Sequence, residues 1–186
     1  MIKFFLIVDF LFLSMIVFAQ QSQPFGLKMG MTLNEARDVC DNIIHFRAVE
    51  VPDFYYFKPK NGSVLFCDYY VRIHSKQGIY LIGAEGNIIY SDKKDTEIKA
   101  AFNDFVLNIA NIYGSYEIVD YIDATGYLYY AIWEREKGSN IPEDMSKIIV
   151  KIISLSQGMG YITIEYYSLY EASTEEEVID IDYSMF

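Results

Sequence analysis

Side chains suited to nucleophilic or metal chemistry are scarce in this chain. It contains two cysteines, Cys40 and Cys67, and two histidines, His45 and His74. None of them stands in a Cys-x-x-Cys or His-x-x-x-His spacing, which would favour a zinc site. A Cys67–His74 nucleophilic pair also fails, because an odd separation along one strand points two side chains to opposite faces. We therefore predict no catalytic cysteine, no metal and no cofactor.

Motifs for serine hydrolysis and phosphate binding are missing from the sequence as well. A hydrolase elbow needs Gly-x-Ser-x-Gly between a strand and a helix, and no such run occurs. The glycine-rich stretch 156–160 joins two predicted strands and does not open a helix. It therefore lacks the helix N-terminus that binds phosphate, and we interpret it as a turn.

Carboxylates are plentiful, and three of them lie beside aromatic residues on predicted strands: Asp68, Glu134 and Glu165. Two carboxylates that face each other across a cleft can hydrolyse glycosidic bonds. One functional hypothesis is therefore a carboxylate-dependent hydrolase of envelope or external glycans, with Trp133 at the wall of the cleft. Solvated carboxylates on a sheet surface are the more common case. Whether the protein is an enzyme stays open, and a non-catalytic role is favoured.

Tyrosine is unusually frequent, with 17 residues, and many tyrosines stand in adjacent pairs on predicted strands. Adjacent strand residues face opposite ways, so one tyrosine of a pair can be buried while the other is exposed. Exposed tyrosines are frequent at protein interfaces. We predict a protein-binding surface that contains five residues: Tyr56, Tyr70, Tyr130, Trp133 and Tyr167. The alternative is aromatic cross-strand pairing that only stabilises the sheet.

Two helices should support these strands. Thr32 and Glu35 form a Thr-x-x-Glu capping box ahead of an apolar stripe that consists of Leu33, Ala36, Val39, Cys40 and Ile43. Asp92 or Asp95 can cap a second helix over residues 95–113, which Gly114 ends. Its apolar stripe consists of Ile98, Phe102, Phe105, Ile109 and Ile112.

Each predicted helix precedes a run of alternating strands. The segment 64–73, VLFCDYYVRI, alternates with Cys67, Tyr69 and Val71 on the covered side. Four further strands follow the second helix. The sequence predicts an α+β protein with two similar halves, residues 20–92 and 93–170, each a helix packed on an antiparallel meander. A small apolar ligand held between helix and sheet is a third functional hypothesis.

The cysteines and the chain ends indicate the compartment. Residues 1–19 combine Lys3, an apolar run and Ala19, which predicts a signal peptide that is cleaved before Gln20. We expect a secreted or periplasmic bacterial protein without a stable membrane anchor after cleavage. In that compartment Cys40 and Cys67, both predicted to face the core, either form a disulfide or stay as buried thiols.

Charge limits the partners. The net charge of −11 disfavours nucleic acids and anionic membranes. We interpret the acidic segment 171–186 as a solvated tail. The functional alternatives are a cation site or a strand that docks on an exposed sheet edge. Another protein is the expected partner.

The segment 25–40, FGLKMGMTLNEARDVC, resembles the opening of a broad group of uncharacterised secreted bacterial proteins. The helix-plus-antiparallel-sheet unit is similar to the BamE lipoprotein family and, when doubled, to the beta-lactamase inhibitor protein family. The resemblance implies a non-catalytic binding scaffold and brings no catalytic residues with it. The chain has no lipidation cysteine of the BamE type, so outer-membrane anchoring is not implied.

Overall fold

The computed structural model describes residues 23–46, 53–92, 95–123, 126–156 and 158–169. The predicted signal peptide, residues 1–19, and the acidic tail, residues 171–186, lie outside the described residues. Within the described segments the chain forms two α-helices, α1 (Leu33–Val39) and α2 (Thr96–Tyr113), and two short 3-10 turns, Pro24–Gly26 and Arg135–Lys137. The remaining elements are nine strands.

The strands are β1 (Cys40–His45), β2 (Phe54–Pro59), β3 (Phe66–His74), β4 (Gly78–Gly86), β5 (Ile89–Tyr90), β6 (Glu117–Asp123), β7 (Gly126–Glu134), β8 (Met145–Ser156) and β9 (Met159–Ser168). All of them pair antiparallel in a single sheet with the order β1-β2-β3-β4-β9-β8-β7-β6, and β5 pairs with β9. The predicted α+β class is confirmed.

A helix followed by a four-strand meander occurs twice along the chain. The last strands of the two meanders, β4 and β9, pair at the centre of the sheet, where Gly83 lies opposite Glu165. One continuous sheet therefore joins both meanders. The division of the chain into halves at residue 92 stays a prediction.

Both helices lie on the same side of the sheet, which we call the helix face. The α2 residues Phe102 and Tyr113 contact Tyr129 of β7 and Tyr166 of β9, with ring centroids 5.0 and 6.4 Å apart. The first helix buries Ala36 beside β1. The opposite side, which we call the open face, is covered by neither of the described helices.

The second helix begins where local polar chemistry favours it. Asp92 accepts a hydrogen bond from the backbone N–H of Thr96 (3.0 Å), and Ser91 Oγ accepts one from the N–H of Glu97 (3.0 Å). These bonds satisfy donors that have no partner within the helix. Of the two predicted capping residues, Asp92 is therefore the one that caps. Asp95 occupies the capping position in a left-handed conformation and makes no side-chain cap bond.

The Ser91 cap gives a direct stability test. We expect Ser91→Ala to lower the free energy of unfolding by about 1 kcal/mol, because the first turn of α2 loses an acceptor. Ser154→Ala, at an exposed position on β8, is the matched control and should change it little. Urea denaturation measures both variants. Equal effects of the two substitutions would contradict the cap.

The first helix is shorter than its apolar stripe predicts. The capping box between Thr32 and Glu35 is present as expected. The helix ends at Val39, however, and Cys40 and Ile43 belong to β1, where Ile43 lies opposite Phe57. Pairing with β2 satisfies the backbone of these residues as well as a helix would, and β-branched residues favour a strand.

The apolar stripe of α2 is partly as predicted. Ile98, Phe102 and Ile109 are buried, whereas Ile112 is 37% exposed. Tyr113 and Val106 complete the buried side instead. The reason is helical geometry, since positions four, eight, eleven and fifteen residues after Ile98 stay closest to one line on a 3.6-residue helix. Gly114, with φ of 79°, ends the helix as expected.

A β-bulge changes the side-chain alternation at the start of β3. The register between β3 and β4 shifts between Phe66 and Asp68. Phe66 therefore packs toward Phe25 and Phe105 on the helix face, with ring centroids 5.7 and 5.6 Å away. Cys67 is exposed. The prediction that Cys67 faces the core is wrong, because strict alternation from Tyr69 fails at the bulge.

Candidate protein-binding face

Strand register assigns side chains to the open face. One row across the sheet runs from Tyr56 through Tyr70, Gly83 and Glu165 to Ile149. The neighbouring row on one side contains Asp68, Glu85, Thr163, Lys151 and Tyr130. The row on the other side contains Arg72, Leu81, Tyr167, Lys147 and Glu134. The open face is thus rich in tyrosine and charge.

At the β1 end this face carries a cluster of four rings, the aromatic band, which consists of Phe46, Phe54, Tyr56 and Tyr70. The ring centroid of Phe46 lies 5.8 Å from that of Phe54 and 5.6 Å from that of Tyr56. Phe54 stacks on Tyr70 at 5.2 Å. Phe46 and Tyr56 are 45% and 37% exposed, and the neighbouring Ile44 is 59% exposed. Apolar and aromatic surface is therefore presented outward along β1 and β2.

Four of the five predicted surface residues, all except Trp133, lie on the open face. Tyr56 is exposed, and Tyr130 and Tyr167 are half-buried. Tyr167 donates a hydrogen bond to Glu165 (2.7 Å), and its ring lies 4.6 Å below the ammonium group of Lys147. The alternative of cross-strand aromatic pairing applies to part of this face as well, since Tyr56 contacts neighbouring rings.

Trp133 does not lie on the open face, contrary to the prediction. Its side chain is fully buried on the helix face, and its indole N–H donates to the carbonyl oxygen of Gly114 (3.1 Å). The prediction that Trp133 belongs to a binding surface, or to the wall of a carboxylate cleft, is therefore wrong. An odd separation from Tyr130 along β7 puts the two side chains on opposite faces. The sequence contained that signal.

Tyr70 lies on the open face but is only 7% exposed, so it is not a free surface residue as predicted. Its ring crosses β4 directly above Gly83: a Cβ atom at Gly83 would lie 2.2 Å from Tyr70 Cζ. The absence of that Cβ lets the hydroxyl reach β9, where it donates to Glu165 Oε1 (2.8 Å). Tyr70 thereby links the first meander to the second.

Glu165 is the centre of a buried polar network with Tyr70, Tyr167 and Lys151. Its side chain is 13% exposed, and Lys151 Nζ lies 2.6 Å from Oε2. Burial alone would raise the pKa of Glu165, but the charge of Lys151 and the hydrogen bonds from Lys151, Tyr167 and Tyr70 outweigh it and lower the pKa. Burial and the Glu165 charge raise the pKa of Tyr70, so its hydroxyl stays a donor.

The three carboxylates that the sequence indicates, Asp68, Glu134 and Glu165, have different surroundings in the structure. Glu165 is bound by Tyr70, Tyr167 and Lys151, and Glu134 forms an ion pair with Lys137 (2.6 Å). Asp68 lies on the open face opposite Glu85. The sequence indicates Asp68 and Glu165 as candidates. It does not predict that Glu85 lies beside Asp68 or that Lys151 lies beside Glu165, because strand pairing determines these neighbours.

The two cysteines are free thiols in the structure, Cys40 buried and Cys67 exposed. The predicted alternative of a disulfide is not realised. Strand β2 lies between β1 and β3, so the two cysteine-bearing strands are about 9 to 10 Å apart. A disulfide requires Cα atoms within roughly 7 Å of each other. Burial raises the pKa of both thiols, which favours the unreactive protonated form.

Two cavities open on the surface near the β1 edge. One, of about 560 Å³, is lined by residues of β1 to β3 that include Ile44, Tyr56, Lys58 and Asp68. The other, of about 640 Å³, lies between the start of α1 and the strands β2 and β3, with Leu33, Tyr55 and Ile73 in its lining. The hypothesis of a small apolar ligand between helix and sheet stays a prediction.

The described residues contain neither a metal-binding cluster nor a membrane-spanning helix. No set of three or more His, Cys, Asp or Glu side chains there is arranged to hold a metal ion. None of the helices in those segments has the length and apolar content needed to cross a membrane.

Comparison with known proteins adds no relative. The sequence matches no protein-family model and no curated protein, and the structure matches no solved structure.

Proposed function

We propose that the protein is an exported, non-catalytic protein-binding module of the bacterial envelope or extracellular space, and that it binds its partner through the open face of the sheet. The observation that carries the proposal is the aromatic band. Phe46 and Tyr56, with the adjacent Ile44, present large apolar side chains on a sheet face that neither described helix covers. Aromatic residues are enriched at protein interfaces, and tyrosine is frequent among the few side chains that supply most of the binding energy there.

The rigidity of this face supports the same function. The hydrogen bond from Tyr70 to Glu165 connects β3 to β9, and Tyr167 donates to the same carboxylate, so these two tyrosines are held in place on the open face. A surface that is already ordered loses little conformational entropy on binding. Lys147 and Arg72 stand among the tyrosines and provide polar groups around the aromatic residues.

Site-specific photo-crosslinking tests the proposal. A photo-reactive amino acid in place of Tyr56 should form adducts with one partner protein in an envelope extract, because that position lies in the aromatic band. The same amino acid in place of Asn108, which is exposed on α2, is the matched control and should give none. Adducts of equal yield at both positions, or none at Tyr56, would refute binding through the open face.

A further inference from the structure

Two carboxylates meet on the open face without a basic partner. Asp68 of β3 and Glu85 of β4 are directly opposite each other, and like charges in that arrangement repel. Neither forms an ion pair with a lysine or arginine among the described residues. Lys151 is already paired with Glu165 and Arg72 with Asp53, and Lys58, which lines the same cavity as Asp68, forms no ion pair with it.

A buried hydroxyl without a partner lies beside them. Thr163 of β9 is directly opposite Glu85 on one side and Lys151 on the other. It is only 4% exposed, and its Oγ1 has no hydrogen-bond partner within the part of the chain that the structure describes. A buried hydroxyl that is left unpaired is costly, so an interaction that satisfies it would be favoured.

Two tyrosines frame the pair. Burial is the main cause that raises the pKa of Tyr56 and Tyr161, and the second cause in both cases is the negative charge of Glu85. Tyr56 and Asp68 line the same cavity, and Tyr161 lies two residues before Thr163 on the same face of β9. Burial, Asp68 and Glu165 raise the pKa of Glu85 itself, so this group lacks a compensating positive charge. We call the set Asp68, Glu85, Thr163, Tyr56 and Tyr161 the carboxylate cluster.

We propose that the carboxylate cluster receives an arginine side chain of the partner protein. A guanidinium group offers five N–H donors in a planar fork, which suits two adjacent carboxylates and a hydroxyl, and it stacks on tyrosine rings. A calcium ion needs six to eight oxygen ligands, more than two carboxylates and one hydroxyl provide. The inference rests on the proposed function and adds the chemistry of the partner at one point of the open face.

The first test uses short peptides as probes. An acetylated, amidated Gly-Arg-Gly peptide should shift the NMR amide signals of Asp68, Glu85 and Thr163 in a saturable way. Either Glu85→Gln or Asp68→Asn should weaken this binding about tenfold, since each removes a charged hydrogen-bond acceptor. Glu117→Gln, on the edge strand β6, is the matched control and should leave it unchanged. Equal shifts in all variants, or the same shifts with calcium chloride in place of the peptide, would overturn the inference.

A stability measurement separates loss of binding from loss of the fold. Because Asp68 and Glu85 repel each other, Glu85→Gln should keep or raise the urea midpoint at pH 7 while it weakens binding of the arginine peptide. A lowered midpoint would show that Glu85 already has a stabilising partner and would contradict the inference. Thr163→Val replaces the hydroxyl by a methyl group and should also weaken binding of the arginine peptide.

Crosslinking distinguishes this inference from the proposed function. If the open face binds a protein through an arginine, Glu85→Gln should reduce the adduct yield at position 56 about tenfold at limiting partner concentration. An unchanged yield in Glu85→Gln would leave binding through the open face intact and reject the arginine. No adduct even in the parent protein would reject the proposed function itself.

Discussion

Gly83→Ala is expected to destabilise the protein by about 2 to 4 kcal/mol, although it adds a single methyl group. The new Cβ would lie 2.2 Å from Tyr70 Cζ, so the Tyr70 ring has to leave its position above β4. Its hydroxyl then releases Glu165, and a buried carboxylate loses one of its donors. The substitution therefore costs both packing and a charge-assisted hydrogen bond. Urea denaturation measures the loss.

The same substitution in a Tyr70→Ala variant tests whether the Tyr70 ring causes the loss. In Tyr70→Ala the ring is gone, so adding Gly83→Ala should cost nothing there and should even stabilise β4, where alanine is favoured over glycine by roughly 0.5 to 1 kcal/mol. The two single substitutions should thus be strongly non-additive. If Gly83→Ala costs the same in both backgrounds, the contact between Gly83 and Tyr70 does not determine stability.

Local sequence signals predicted most of the elements correctly. The capping box at Thr32, the cap at Asp92 and the terminating Gly114 all act over a few residues, so their outcome depends little on the rest of the fold. Alternation also predicted β3 and β9, because one side of each strand faces the helices. These features need no knowledge of which strands are neighbours.

The errors arose where pairing or a local irregularity decides the structure. The sequence does not predict β1, because Cys40 and Ile43 also suit a helix and only pairing with β2 selects the extended form. Strict alternation places Cys67 in the core, because no sequence signal marks the bulge before Asp68. Trp133 is different, since its odd separation from Tyr130 already predicts the opposite face.

The candidate site was even less predictable than the fold. Tyr70, Gly83 and Glu165 come from three strands, and they meet only because β4 pairs with β9 in one register. A shift of one residue would turn Glu165 to the helix face. The same register brings Thr163 to Glu85. A single sequence shows which residue types are present on each strand, but the long-range pairing determines the cluster.

Lys151→Met should have the other large effect, a loss of about 3 kcal/mol at pH 7. Glu165 is 13% exposed, and removing its cation leaves a buried charge without compensation. Lys151 is itself 34% exposed, which places the expected cost at the lower end of the usual range. Lys147→Met on the same strand is the matched control and should cost about 1 kcal/mol or less, because its ammonium group lies over the Tyr167 ring.

The pH dependence identifies Glu165 as the cause. In the parent protein the folded-state pKa of Glu165 lies below its unfolded value, about 4.3. Its contribution to stability is therefore present above that pH and is lost as the pH falls through the folded pKa. Without Lys151, burial should raise the folded pKa above the unfolded value, so the variant becomes relatively more stable in acid.

The gap in unfolding free energy between the parent protein and Lys151→Met should accordingly narrow between pH 7 and pH 4, and it should narrow more than the gap for Lys147→Met. Adding Glu165→Gln to Lys151→Met should recover most of the loss at pH 7, because no buried charge then remains unpaired. A gap that is independent of pH, or a double variant no better than Lys151→Met, would show that the ammonium of Lys151 does not compensate Glu165.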